Sequence, residues 1–288
     1  MQPPEADPIE SARHFYAEEL CRINHISSPA ILRAFSTVPR ELFVGPGPWM
    51  IQTSGTQWFT ESADPQNVYQ DALIVLDAAK CLNNGQPSLW AFHLSLLGVR
   101  PGDHILHLGC GTGYYSAILA ELTGPEGKVV AVEIDEALAA RARIALEPWP
   151  QVIVFQADGA QGPFDPADVI VVSAGATHPL AAWLAALKPN GKLLFPLTST
   201  RGPGTMAYLT RKSADLFSAM LCGSVFFVDF AGARDSAISD ELARALKRDH
   251  GASVRSLRCD AHEKVDSCWL HGNGWCFSRR AAIPAQPA

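Results

Sequence analysis

A chain of 288 residues can bury a large core, in one domain or in one domain with an appendage. At 48% hydrophobic and 18% charged residues it reads as a folded protein and not a disordered one. The net charge of −6 offers nucleic acid no basic face, and no apolar run reaches membrane-spanning length, so neither partner is expected.

The N-terminal MQPPEADPIESARH carries acids and prolines where a secretory signal would carry a basic and then an apolar stretch. Cytoplasm is therefore the expected compartment. Residues 9–24 and 28–38 read as two short helices, the second capped by Ser27 or Ser28 and closed by Pro39. Residues 45–68 lack periodicity and read as an irregular, partly extended connection. In LNNGQPSLWAF, loop chemistry turns into a helix over 88–98 that ends at Gly98.

A strict alternation follows. Strands are predicted at 104–109, 128–134, 152–157, 167–174 and 192–197, with helices at 114–122, 136–146 and 179–187. Strands apolar almost throughout, separated by helices, predict an α/β fold with a doubly wound, mostly parallel sheet. Residues 205–211 and 218–230 are two strands without a helix between them, so an antiparallel hairpin is expected to finish the sheet. A helix over 239–249, with Ser239 as its cap, and short strands around Gly272-Asn273-Gly274 form a C-terminal appendage from about 236. The domain reading is thus 1–80 helical and irregular, 81–235 cofactor-binding, and 236–288 appendage.

HLGCGTGYYSA places Gly109, Gly111 and Gly113 between the first parallel strand and its helix. Glycines there let backbone approach a ligand at the carboxyl ends of the strands. Tyr114 stands where a dinucleotide fingerprint would need glycine, and the Gly-Lys-Ser/Thr of a phosphate loop is absent, so a nucleoside fits better than a pyrophosphate. Glu133 ends the second strand, where a carboxylate accepts ribose hydroxyls. Asp135 reads as the cap of the next helix. Asp158-Gly159 follow the third strand, where a carboxylate accepts from an adenine amino group, although a plain turn residue would look the same. Together these point to S-adenosyl-L-methionine.

The stretch from about 29 to 230 resembles the protein-L-isoaspartate (D-aspartate) O-methyltransferase family. The likeness is carried by AFSTVPRELFV (34–44), RPGDHILHLGCGTGYYSAILAEL (100–122), VVAVEID (129–135), FQADGAQG (155–162), VIVVSAGA (169–176) and LKPNGKLLFPL (187–197). The resemblance implies S-adenosyl-L-methionine as donor, a carboxylate as acceptor, and cofactor contacts from His107, Gly109, Cys110, Gly111, Gly113, Tyr114, Glu133, Ile134, Asp158 and Gly159. Two positions depart from the family pattern. His107 replaces an acid that helps hold the methionine ammonium group. Asn83, Asn84 and Gly85 replace the Thr-Ile-Ser of a Thr-Ile-Ser-Gln-Pro segment, while Gln86 and Pro87 match. Gly85 thus removes the serine tied to the family reaction.

The expected function is an O-methyltransferase acting on a carboxylate of a peptide, protein or small molecule, as monomer or homodimer. Asn83, Asn84, Gly85 and His178 are the candidate catalytic positions, with the asparagine amides orienting the acceptor in place of the hydroxyl. The competing reading is a non-catalytic S-adenosyl-L-methionine-binding module that docks a partner through its appendage. The seven scattered cysteines form no CxxC and read as free thiols. Cys259, Cys268 and Cys276 lie near His262 and His271, but that spacing matches no standard zinc pattern, and no metal is expected.

Overall fold

The computed structural model describes residues 7–53 and 55–283. In chain order the helices are α1 (Pro8–Ile23), α2 (Pro29–Thr37), α3 (Pro87–Leu97), α4 (Tyr114–Thr123), α5 (Glu136–Ala145), α6 (Ala181–Ala186) and α7 (Ser236–Asp249). The strands are β1 (Met50–Thr53), β2 (Thr56–Phe59), β3 (Leu73–Asp77), β4 (Leu82–Asn83), β5 (His104–Leu108), β6 (Lys128–Glu133) and β7 (Val152–Gln156). They continue with β8 (Ala167–Val172), β9 (Leu187–Leu197), β10 (Gly204–Arg211), β11 (Leu216–Val225), β12 (Ser256–Arg258), β13 (Cys268–Gly272) and β14 (Trp275–Ser278). The chain divides into two compact units: residues up to Asp103 with Cys110–Gln156, and His104–Gly109 with the residues from Ala157 onward.

In the first unit, capping chemistry starts the helices. Asp7 accepts the Ile9 N–H ahead of α1, Ser28 accepts that of Ile31 ahead of α2, and both helices begin with proline, whose missing N–H costs nothing there. Helix α3 has no cap from Gln86. Instead Asp71 accepts the Ser88 N–H at 2.8 Å, one of the donors a helix start leaves without a partner. Strands β6 and β7 pair in parallel, as the alternation predicts.

Residues 45–68 are more ordered than their composition suggests. Strand β1 pairs antiparallel with both β2 and β3, and Val44, Trp49, Ile51, Val68, Ala72 and Ile74 bury one another in a small core. Every residue of β2 is exposed and only Ile51 of β1 is buried, so no alternation marks the hairpin in sequence.

In the second unit β5, β8 and β9 run parallel, and β10 and β11 return antiparallel as the expected closing hairpin. The strands after α7 continue that ladder: β12 pairs with β11, β14 with β12, and β13 with β14. Helix α7 starts three residues before the predicted 239, capped by Asp235, which accepts the Ile238 N–H. Ser239 is buried, and its hydroxyl accepts the Thr200 N–H instead. No helix among the described residues is long and apolar enough to cross a membrane.

Candidate active site

In the first unit the chain after Gly109 turns tightly. Gly111 and Gly113 both have positive φ, at 59° and 95°, a region that excludes most side chains. The two glycines serve different ends. A Cβ on Gly113 would strike Leu146 Cδ1 at 2.6 Å, whereas one on Gly111 would meet nothing within 4 Å. Gly113 is therefore a packing position, and Gly111 faces open space.

Glu133, at the end of β6, is buried and organises this turn. Its Oε2 accepts the Gly111 N–H at 2.7 Å and its Oε1 accepts the Asp135 N–H at 3.0 Å. Each carboxylate oxygen has a second lone pair, so two acceptor positions remain for a ligand diol. Thr112, between the two glycines, buries a hydroxyl that has no partner among the described residues. Asp135 caps α5 as expected, accepting the Leu138 N–H, and pairs with Lys80. Ile134 is half-exposed beside Glu133. Cys110 is buried and hydrogen-bonds Val132 through its backbone. Tyr114 lies inward among Tyr16, Phe35, Phe43 and Tyr115, its hydroxyl 3.3 Å from that of Tyr16. Burial raises the Tyr114 phenol well above its ordinary range, so it stays protonated.

The Asn83–Pro87 segment belongs to the same unit. Asn83 accepts the Gly85 N–H at 2.8 Å, which tightens the turn, and Gly85 has φ 76°. Asn84 is buried. Its backbone N–H donates to Ile74 and its Oδ1 accepts from Arg40 Nε at 3.0 Å. Both side-chain oxygens are therefore engaged within the chain. What the two amides have left to offer is N–H donors, without recorded partners among the described residues. Tyr115 donates to the Gly85 carbonyl at 3.2 Å, and Gln86 reaches Asp71 and Ser88.

Arg40, in VPRELFV, is the residue that sequence reasoning missed. It is wholly buried and donates to Asn84, Val68, Gln70 and Ala72, each at 2.8–3.0 Å. Its guanidinium also lies 6.0 and 5.9 Å from the rings of Tyr16 and Tyr114. Nothing in a charge's sequence position announces burial. Its place in a motif shared with the resembling family was the available signal.

Gly85 raises a direct test. A Cβ there would lie 2.8 Å from Trp90 Nε1 and 3.0 Å from Tyr115 Cε2, under a positive φ. Restoring the hydroxyl with Gly85→Ser is thus expected to destabilise the fold by about 2–4 kcal/mol and to leave methyl transfer unimproved. Chemical denaturation and a transfer assay check this. A stable, faster Gly85→Ser enzyme would show that the space is open.

In the second unit His107, the last residue but one of β5, is fully buried, with Nε2 2.8 Å from the Ser173 hydroxyl. Burial depresses its pKa to about 3, so the imidazole is neutral near pH 7 and, unlike the family acid, offers an ammonium group no negative charge. Gly109 follows with φ 72°. Asp158 accepts the Ala160 N–H and the Gln161 side-chain amide, at 2.8 and 2.9 Å, and keeps further lone pairs for the predicted amino group. Gly159 is buried, with its carbonyl accepting from Trp183 Nε1. His178 stacks on Trp275, at 5.6 Å between ring centroids, with Nδ1 3.0 Å from the Thr177 hydroxyl. Burial lowers its pKa against the opposing pull of Asp235.

His107 and the buried His93, depressed to about 4 by the same desolvation, make stability pH-dependent. Unfolded, both bind protons below about pH 6.5. Folded, they bind none until about 4 and 3. Between pH 6 and 5 the unfolded state holds more protons, so stability falls on acidification, by about 1.4 kcal/mol per pH unit for each histidine. His107→Gln is expected to halve that slope in urea titrations; an unchanged slope would refute the assignment.

The family model that matches the chain describes protein-L-isoaspartate(D-aspartate) O-methyltransferase and covers residues 15–235. A protein-L-isoaspartate O-methyltransferase of Methanothermobacter thermautotrophicus is 30% identical over 224 residues, covering 76% of this chain and 95% of that protein. One from Brucella anthropi is 30% identical over 228 residues, covering 78% and 95%. A solved protein-L-isoaspartate O-methyltransferase superposes with TM-score 0.63 at 26% identity, covering 80% of this chain and 69% of that one. A Plasmodium falciparum protein described as the same enzyme, in complex with S-adenosyl-L-homocysteine, superposes with TM-score 0.62 at 17% identity, covering 76% and 98%, and shows the shared fold.

Proposed function

The chain belongs to the protein-L-isoaspartate(D-aspartate) O-methyltransferase family, and on that premise we propose that it methylates a carboxylate displayed on a peptide or protein. It is an S-adenosyl-L-methionine-dependent methyltransferase by family and fold. The residues of the first unit suit that donor. Gly111 faces open space, Glu133 is held by two backbone N–H groups with lone pairs to spare, and the Thr112 hydroxyl is buried without a partner among the described residues. When bound, the donor supplies an electrophilic methyl group and its own leaving thioether.

The observation that carries the acceptor proposal is the absence of any side chain at Gly85, in a turn set by Asn83 and closed by Tyr115. A carboxylate is already ionised near pH 7, so its oxygen needs no base. The task left to the protein is orientation in a site shielded from water. N–H donors suit a carboxylate as well as a hydroxyl does. We assign that contact to the exposed Asn83 amide, while buried Asn84 ties the turn to Arg40. The unpaired state of all seven cysteines fits a reducing compartment such as the cytoplasm.

The test is transfer of a tritiated methyl group to an isoaspartyl peptide and, separately, to a protein extract. Alkali releases a carboxyl methyl ester as methanol but leaves N-methyl groups in place. Alkali-labile label on peptide or protein is expected, reduced in Asn83→Ala. Tight donor binding with no transfer to either acceptor, or alkali-stable label, would overturn the proposal.

A further inference from the structure

The C-terminal hairpin assembles four side chains that nothing in the methyltransferase site uses. His262 comes from the loop between β12 and β13, Cys268 and His271 from β13, and Cys276 from β14. One ligand atom from each lies within 4.8 Å of all the others. In sequence they read H-x5-C-x2-H-x4-C, an order that hides the cluster. Cys268 and His271 are three apart, and on a regular strand they would face opposite ways. A register irregularity between Cys268 and Leu270 breaks that alternation. His271 then stands directly opposite Cys276 across the hairpin.

We propose that His262, Cys268, His271 and Cys276 bind one zinc ion in a closed, tetrahedral structural site. Two nitrogens and two sulfurs are a zinc donor set, and the two thiolates neutralise the ion. Zinc bonds of about 2.0–2.3 Å imply ligand–ligand edges of roughly 3.3–3.8 Å. Cys268 Sγ and His262 Nε2 already stand 3.6 Å apart.

The surroundings are arranged as a metal's outer partners are. His262 Nδ1 sits 2.8 Å from the Asp260 carbonyl. Donating its proton there leaves the Nε2 lone pair for the cluster. The Val265 N–H points at Cys268 Sγ at 3.5 Å, a contact that favours thiolate. His271 Nδ1 is buried with no partner among the described residues, a cost that coordination by this ring would help justify. Both cysteines are buried and both histidines partly so, which leaves no open position for a substrate. The ion would fasten the 259–267 loop to the hairpin that β12 joins to β11.

The test uses the full chain, freed of any affinity tag and purified without chelator. One equivalent of zinc by elemental analysis is expected. Cobalt(II) added to demetallated wild type should give the ligand-field bands of a tetrahedral ion with a thiolate-to-cobalt band, a readout that needs no variant to fold. Cys268→Ser and His262→Gln should each weaken zinc binding at least about 100-fold, beyond the cost of losing an outer partner. Cys21→Ser, in α1, should leave binding unchanged. A thiol reagent should gain two fast-reacting groups when chelator is added. Zinc-free protein that gives no thiolate-to-cobalt band, or a Cys268–Cys276 disulfide in freshly purified protein, would overturn the proposal.

Discussion

Glu133→Gln is expected to weaken S-adenosyl-L-homocysteine binding at least about 100-fold by calorimetry, without unfolding the protein. The carboxylate accepts from Gly111 and Asp135 and keeps a lone pair on each oxygen, the pair proposed to accept from the ribose hydroxyls. Glutamine replaces one oxygen with an amide nitrogen. That donor must then face either a backbone N–H or a ribose hydroxyl, and the charge that strengthens both ligand bonds is gone. Hydrogen bonds to an ionised group contribute about 1.5–3 kcal/mol each and neutral ones about 1, so losing one and neutralising the other costs about 3 kcal/mol. Each 1.4 kcal/mol is tenfold in affinity. Unchanged affinity, with native circular dichroism, would remove Glu133 from the cofactor site.

Arg40→Ala is expected to carry the largest stability cost of any single substitution in the first unit. Removing the guanidinium leaves three backbone carbonyls and the Asn84 oxygen without their donor in a buried place. Breaking such a buried charged network costs about 3–5 kcal/mol. That lowers the melting temperature by roughly 10 °C for a chain of this size. Lysine should rescue little, because one ammonium cannot replace a planar fork reaching four acceptors. Methyl transfer should fall with stability, since Asn84 loses the bond that anchors the turn beside Gly85. A melting temperature within about 2 °C of wild type would contradict this account.

Much of the α/β alternation was legible in sequence. Strands such as Ile105–Leu108 and Val169–Val172 are buried on both faces, so they read as continuous apolar runs bounded by Gly, Pro and Asp. Glu133 was legible because a strand end twenty residues past the last loop glycine leaves few candidates. Gly85 was legible as a departure, but its cause was not. The indole of Trp90 beside it comes from packing, which no linear pattern encodes. The β1–β2 hairpin escaped because one buried isoleucine makes no pattern. Arg40 escaped because charged residues are read as surface. The histidines and cysteines of the C-terminal hairpin were legible as neighbours in the chain, but their convergence was not, because a bulge changes which residues share a face.

The contact between Gly85 and Trp90 also bears on how the chain can evolve. With the indole 2.8 Å from where a Cβ would stand, a change to serine forces a shift while tryptophan remains. A smaller residue at 90 would open the space, but alone it leaves a cavity costing about 3–5 kcal/mol. Neither change is favourable first, so the two positions are coupled and the pair is hard to leave in single steps. Glycine at 85 is thereby entrenched. Change in the chemistry of this turn is therefore more accessible at the exposed Asn83 than at position 85.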